Sequence, residues 1–199
     1  MARGAEEPRR DELLEHIADY VTANGLADLS LRPLAEAVGS SPRVLLYYFG
    51  SKEELIGEVL ALARARQRAI FAALPRDASS YRDTISAAWS VMSAPQHEPV
   101  FRLFFEVYGL ALQDRKRFAG FLRGAVDDWL AYLSAAPSQA GYRPTDARAL
   151  ATVILAGFRG FLLDLCATRD RARIARAVEL WIVALDALPA PQELVDGSP

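Results

Sequence analysis

Arg43, Tyr47, Tyr48 and Lys52 follow one another within ten residues of the segment SSPRVLLYYFGSKEE, residues 40–54. An arginine can offer a bidentate hydrogen-bond fork to guanine, a tyrosine can contact a thymine methyl or a phosphate, and a lysine can pair with a phosphate. With Arg32 upstream, these side chains therefore suit contact with double-stranded DNA, provided that short helices carry them outward.

The spacing of apolar residues predicts the helices that must position these side chains. The predicted ranges are about 10–24, 31–38, 42–49 and from 51 to about 74. Serines suit the helix starts, Ser51 and Glu54 have the spacing of a capping box, and glycines suit the helix ends. The capping serines are Ser30 and Ser41, and the terminating glycines are Gly25, Gly39 and Gly50.

Two short helices joined by a turn of about three residues match a helix-turn-helix packed on the first helix. In that geometry the second short helix enters the major groove, with Pro42, Arg43 and Leu46 or Tyr47 outward and Val44, Leu45 and Phe49 inward. The spacing alone leaves open a second interpretation, a piece of helical bundle whose tyrosines are half-buried. Residues 1–55 hold six basic and ten acidic side chains, a net charge of −4 that is unlike a typical basic DNA-binding module.

The composition is that of a globular protein: 199 residues, 52% hydrophobic and 24% charged, with a net charge of −2. A single cysteine, Cys166, excludes an internal disulfide framework, and residues 1–10 lack the apolar stretch of a secretory signal. Arg159 and Asp164 interrupt the longest apolar stretch, residues 149–166, which predicts a buried helix and no membrane span. We therefore expect a cytoplasmic protein.

The stretch LSLRPLAEAVGSSPRVLLYYFGSKEEL, residues 29–55, resembles the signature of the TetR family of bacterial transcriptional regulators. The resemblance implies an operator-binding regulator, most often a repressor, with an N-terminal three-helix DNA-binding domain. By position it implies base contacts from Arg32, Pro42, Arg43 and Tyr47, and phosphate contacts from Ser30, Ser41, Tyr48 and Lys52. Three residues depart from the family pattern: Ser40 replaces a usual valine, Leu46 a common phosphate-binding tyrosine, and Gly50 a frequent proline.

The fold expected for the whole chain is all-α, with a DNA-binding domain over 1–55 and a larger helical domain over 56–199 for effector binding and dimerisation. We expect the first eight or so residues to be flexible and residues 189–199 to fray. Further helices are predicted over about 81–93, 99–113, 115–135, 145–168 and 170–188, with breaks at 94–95, 136–138 and 188–189.

The last two predicted helices are apolar over more of their circumference than one core needs. The family resemblance implies that a second copy of the chain covers the additional face, which gives a symmetric dimer with its two recognition helices about 34 Å apart. The alternative is that both helices are central in a monomeric core. The residues predicted at the interface are Ile154, Gly157, Phe158, Phe161, Val178, Trp181 and Leu185.

The middle helices hold many aromatic residues and a methionine, and aromatic stripes at helical spacing usually form a core. The family resemblance implies instead a pocket for a small, mainly apolar effector. The residues predicted to line it are Trp89, Met92, Phe105, Tyr108 and Trp129, with His97, Arg123 and Asp127 as the polar groups.

An enzyme is the least favoured class. The sequence lacks a glycine-rich phosphate loop and a serine elbow, and its two histidines, His16 and His97, lack zinc spacing, so neither a metal nor another cofactor is predicted. A helical scaffold that binds another protein would explain the apolar faces. It would leave Arg32, Arg43, Tyr47 and Lys52 unexplained as a set.

Overall fold

A computed structural model describes residues 3–72, 81–139 and 142–186. Every regular element in these residues is helical, which confirms the all-α prediction. The helices are α1 Arg3–Asn24, α2 Leu31–Ala37, α3 Pro42–Phe49, α4 Lys52–Ala72, α5 Tyr81–Met92, α6 Glu98–Gln113, α7 Ala119–Leu133, α8 Ala135–Gln139, α9 Pro144–Thr168 and α10 Arg171–Asp186. A short 3-10 turn, Pro95–His97, precedes α6.

The chain forms two compact units, and the first is discontinuous in sequence. It contains the described residues of Met1–Ala73 together with Pro99–Val107, the N-terminal part of α6. The predicted domain boundary after residue 55 falls inside α4, because this helix continues without a break to Ala72. The second unit contains the described residues of Leu74–Glu98 and Tyr108–Pro199.

Helix boundaries depart from the sequence-based ranges in three places. Helix α1 begins at Arg3 and includes most of the segment that we expected to be flexible. The turn from Asp114 to Phe118 delays the start of α7, and the Asp114 carboxylate accepts a hydrogen bond from the Arg117 amide at 3.1 Å. The break predicted at 136–138 is the short helix α8. The helix end predicted at about residue 74, the predicted break at 188–189 and the predicted frayed tail lie outside the described residues.

In the first unit, α1 packs on α4, and α2 and α3 pack on each other beside them. Apolar residues at helical spacing are almost fully buried there, because each helix presents one apolar stripe to the common core. They include Ile17, Ala18, Val21, Leu34, Leu45, Phe49, Leu55 and Val59. This core holds α3 by its inner side and leaves its outer side to solvent.

The N-terminal segment of α6 is attached to the end of α1 by two hydrogen bonds. Arg102 Nη2 donates to the carbonyl oxygen of Ala23 at 2.5 Å, and Glu106 Oε1 accepts from the amide of Leu26 at 2.8 Å. The last carbonyls of a helix and the amides of the following turn lack partners within the helix. Arg102 and Glu106 therefore cap the C-terminal end of α1 from a distant part of the chain.

In the second unit, α9 packs against α7, α8 and α10. By length and composition α9 could also cross a membrane, but the core helix of a soluble protein passes the same test. Seven of its residues are buried within the chain: Ala147, Ala151, Ile154, Leu155, Phe158, Leu162 and Leu165. One side of α9 is thus a core side, as predicted, although only 33% of its most apolar stretch is buried within the chain.

Candidate functional site

Local side-chain chemistry sets both ends of α3. Ser41 occupies the N-cap position, where its hydroxyl accepts a hydrogen bond from the Val44 amide at 3.3 Å, and Pro42 follows at the first helical position. Gly50, at φ 76°, ends the helix in a conformation that other residues rarely adopt. Gly39, at φ 64°, makes the turn between α2 and α3.

The start of α4 is the predicted capping box. The Glu54 amide donates to Ser51 Oγ at 3.1 Å, and the Ser51 amide donates to Glu54 Oε2 at 2.9 Å. Ser30 occupies the N-cap position of α2 with extended backbone angles, but its side chain makes no capping hydrogen bond. Its hydroxyl is therefore not engaged in holding the helix.

The residues expected to contact DNA lie on the solvent side of this helix pair. Ser30, Arg32, Ser41, Pro42, Arg43 and Tyr47 are exposed, while Tyr48 and Lys52 are half-buried. Tyr47 is 70% exposed, and its ring meets that of Tyr48 edge to face at 5.2 Å between centroids. Leu45 and Phe49, on the opposite side of α3, are buried. All eight predicted residues are thus accessible to solvent, six of them as exposed residues and two in part.

Charge is distributed unevenly within the first unit. Residues 30–52 contain three basic residues and one acidic residue, which gives a local net charge of +2: Arg32, Arg43 and Lys52 against Glu36. Several carboxylates of α1 and α4 are instead paired with arginines. Arg66 forms ion pairs with Glu15 and Asp19, and Arg10 with Glu58. The net charge of −4 over residues 1–55 therefore does not describe the surface that carries α3.

The residues predicted at a dimer interface divide into two groups. Ile154, Phe158, Val178 and Leu185 are buried within the chain, so they are core positions. Phe161, Trp181 and Gly157 are half-buried, and a Cβ atom on Gly157 would overlap the Trp181 ring of the same chain. The close approach that Gly157 permits is thus one between α9 and α10 of a single subunit.

A different face of α9 and α10 is apolar and exposed. Val153, Leu163, Leu180 and Val183 are each 49–59% exposed. On α9, exposed Ala156 and Gly160 continue the row at helical spacing. Sequence reasoning predicted an additional apolar face but assigned it to other residues, because apolar residues surround both helices and the pattern cannot separate the two sides.

The residues predicted to line an effector pocket do not form one group. Trp89 and Trp129 both contact Phe158, with ring centroids 6.4 and 6.1 Å away, and Met92 is buried. Phe105 belongs to the first unit, where its ring meets that of Phe104 at 5.3 Å. The predicted polar groups Arg123 and Asp127 are exposed, and the ring nitrogen Nδ1 of His97 lies 2.7 Å from the carbonyl oxygen of Val91.

Arg159 is an inward polar group of the second unit that the predicted effector set omitted. Its guanidinium lies 5.1 Å from the centroid of the Tyr108 ring and donates to the carbonyl oxygen of Ala125 at 2.7 Å. Burial lowers the pKa of the Arg159 guanidinium, against the opposing effect of Tyr108. The sequence signal for this position is an arginine in the middle of an otherwise apolar helix.

The exposed surface of α3, held by a helix-turn-helix core, defines the protein as a DNA-binding transcriptional regulator. Residues 13–59 match the family described as bacterial regulatory proteins, tetR family. These residues therefore form a TetR-type DNA-binding domain. Among curated proteins, none matches the chain in sequence.

Solved structures with the same fold extend this likeness over nearly the whole chain. A transcriptional regulator from Rhodococcus sp. Rha1 is 18% identical, with 90% of this chain and 99% of that chain covered and a TM-score of 0.74. A TetR-family regulator from Cytophaga hutchinsonii is 19% identical, with coverage of 91% and 94% and a TM-score of 0.76. The multidrug binding protein EbrR, complexed with imidazole, is 23% identical, with coverage of 92% for both chains and a TM-score of 0.65. At these identities the likeness describes the fold.

Proposed function

We propose that the protein is a homodimeric TetR-like repressor that leaves its operator when a small, mainly apolar effector binds. The observation that carries the proposal is the two-sided character of α3. Arg43 and Tyr47 are exposed on an eight-residue helix whose other side, Leu45 and Phe49, is buried in a TetR-type domain. Because its proposed partner is operator DNA, we place the protein in the cytoplasm.

The base contacts in this proposal come from the first turn of α2 and the first two turns of α3. Arg43 presents its guanidinium to guanine O6 and N7, and Arg32 reaches the same groove from α2. Pro42 has no amide donor, so its contact is apolar. Tyr47 contacts a thymine methyl.

Phosphate contacts position the domain on the duplex and carry no sequence information. Lys52 and the hydroxyls of Ser30, Ser41 and Tyr48 fill this role. The Ser41 hydroxyl already accepts from the Val44 amide, and it can still donate its own hydrogen to a phosphate oxygen.

The dimer in this proposal forms through the exposed apolar face of α9 and α10. Val153, Leu163, Leu180 and Val183 would otherwise leave large side chains in water. A two-fold axis through this face brings the same face of two subunits together, as in most soluble homodimers. Two recognition helices one DNA turn, about 34 Å, apart then read a palindromic operator.

The effector site in this proposal lies in the second unit, beside the aromatic residues of α5, α6 and α7. The half-buried rings of Trp89 and Tyr108 offer accessible surface, Trp129 is a core residue at 4% exposure, and Arg159 offers an inward polar group in place of Arg123 and Asp127. Apolar walls with few polar groups are typical of small-molecule sites. The multidrug binding protein EbrR, which has the same fold, is consistent with such a ligand.

Selection of bound fragments from a random duplex library tests the DNA-binding part of the proposal. We expect one enriched palindromic sequence whose two halves are centred about 10 base pairs apart or a multiple of that spacing. If no sequence is enriched at moderate salt, the proposal fails and the helical scaffold becomes the better interpretation.

A thermal-shift screen of apolar compounds, followed by operator release, tests the effector. Linkage requires that a compound which weakens operator binding tenfold also binds the DNA-bound protein tenfold more weakly than the free protein. Ala87→Trp, on α5, should reduce the response to the compound and leave operator affinity unchanged. Compounds that raise the melting temperature without releasing the operator would contradict the repressor mechanism.

A further inference from the structure

Arg10 of α1 contacts both α4 and the C-terminal end of the recognition helix α3. Its Nη2 atom lies 2.6 and 2.5 Å from the two carboxylate oxygens of Glu58 in α4. Its guanidinium carbon lies 5.0 Å from the centroid of the Phe49 ring, and its Nε atom donates at 3.5 Å to the carbonyl oxygen of Tyr48. A longer ion pair, 3.7 Å, joins it to the neighbouring Asp11.

The C-terminal end of α3 depends on such outside contacts. The helix is eight residues long and ends at Gly50. The amides of Gly50 and Ser51 donate to the carbonyl oxygens of Leu46 and Phe49 at 2.9 and 3.0 Å, while the carbonyl oxygen of Tyr48 accepts from Arg10. A cation beside these carbonyls is favourable, because the C-terminal end of a helix carries partial negative charge. The arginine also covers the face of the Phe49 ring, an arrangement that adds a cation–π attraction.

We propose that Arg10 is a positioning residue for operator recognition. Glu58 holds the guanidinium in place, and the guanidinium fixes the last turn of α3 through Tyr48 and Phe49. This contact sets the angle at which Arg43 and Tyr47 meet the base edges. The inference rests on the proposed operator binding, and it requires no contact between Arg10 and DNA.

The rival role for an arginine in a DNA-binding unit is a direct phosphate contact. The two roles predict opposite effects for Glu58→Gln. Removal of a negative charge from the protein favours DNA binding at long range, so affinity should rise or stay unchanged if Arg10 binds phosphate. If Glu58 serves to hold Arg10 against α3, affinity for the operator should fall.

Glu15→Gln supplies a matched control. Glu15 and Asp19 of α1 accept hydrogen bonds from Arg66 of α4, so this cluster joins the same two helices as the Arg10–Glu58 pair. Both substitutions exchange a carboxylate for an amide of the same shape and remove one negative charge. Only the Glu58 carboxylate holds an arginine that lies against α3.

The experiment measures the affinity of the full-length protein for its selected operator and for an unrelated duplex of the same length. Glu58→Gln and Arg10→Gln should each weaken operator binding about fivefold or more, the lower bound for one good base contact. Binding to the unrelated duplex should change less than twofold, because phosphate contacts are retained. Arg10→Lys, which keeps the cation, should lose less than Arg10→Gln, and Glu15→Gln should match the wild type.

The melting temperature and the sedimentation coefficient of each variant show whether the fold and the dimer are intact. Should Arg10→Gln fail to fold, Glu58→Gln and Arg10→Lys still decide the matter. Operator affinity that rises or stays unchanged in Glu58→Gln would overturn the positioning role while leaving operator binding in place. A wild-type protein that selects no operator would overturn both.

Discussion

Phe158→Ala should destabilise the second unit strongly, because Phe158 lies at the centre of its aromatic core. The side chain is 1% exposed, and its ring centroid lies 6.4 Å from that of Trp89, 6.1 Å from Trp129 and 5.5 Å from Trp181. Truncation of a buried phenylalanine to alanine costs about 3–5 kcal/mol in lost transfer free energy and cavity formation. Contact with three aromatic rings places the expected loss at the upper end of this range, about 4–5 kcal/mol.

Urea unfolding followed by tryptophan emission measures this loss at the site itself. All three tryptophans of the chain contact or surround Phe158, and all three belong to the second unit. A loss of 4 kcal/mol should lower the melting temperature by about 8–16 °C for a protein of this size. Wild type and variant must be compared at one protein concentration, since dimerisation contributes to apparent stability.

Leu112→Ala is the control for this measurement. Leu112 is a large apolar residue of the same unit, but it is 50% exposed, so its truncation should change stability by about 0.5 kcal/mol or less. A loss below 1 kcal/mol for Phe158→Ala would refute the packing described here. Because Phe158 is a core residue, a charged side chain at this position should unfold the unit and so cannot test the dimer interface.

Four further predictions concern DNA, the dimer and pH. Arg43→Ala should cost about 1–3 kcal/mol of operator affinity at each half-site and relax sequence preference. Lys52→Ala should weaken all duplexes about equally and flatten the salt dependence in a filter-binding or gel-shift titration. Leu180→Glu should yield a folded monomer in sedimentation velocity, and an unchanged dimer would place the interface elsewhere. The hydrogen bond from Arg173 lowers the pKa of Asp164. This interaction therefore stabilises the fold above the pKa that Asp164 has in the unfolded chain, and the stabilisation is lost as the pH falls through the lower pKa of the folded protein. Asp164→Asn should accordingly melt at a lower temperature than the wild type at pH 7. The difference between the two melting temperatures should become smaller as the pH falls from 5 to 2.

The sequence was sufficient to predict features set by neighbours in the chain. Ser41 and Ser51 cap the helices that follow them, and Gly39 and Gly50 adopt the positive φ angles that the ends of α2 and α3 require. These interactions span three or four residues, so the local pattern contains all the groups involved. The helix-turn-helix and its exposed residues follow from the same local patterns.

Features set by distant residues could not be predicted in this way. Phe158 and Leu163 are both large apolar residues of α9, yet one is buried and the other is 51% exposed. The difference depends on which helices pack beside α9, and a pattern that is apolar all round does not contain that information. The Arg10–Glu58 pair joins residues 48 positions apart, and nothing in the spacing of either residue indicates the other.

The caps that Arg102 and Glu106 place on the end of α1 bear on the engineering of hybrid regulators. A fusion that takes only the N-terminal segment, up to about residue 73, and joins it to a foreign sensor domain would leave the carbonyl of Ala23 and the amide of Leu26 without these partners. Two lost hydrogen bonds at the protein surface, where water partly replaces the missing partners, would cost about 1–3 kcal/mol, a sizeable fraction of the stability of a small domain. A working chimera should therefore transplant residues 99–107 as well, so the natural junction consists of three cuts in the chain, one after about residue 73 and one on each side of this helical segment.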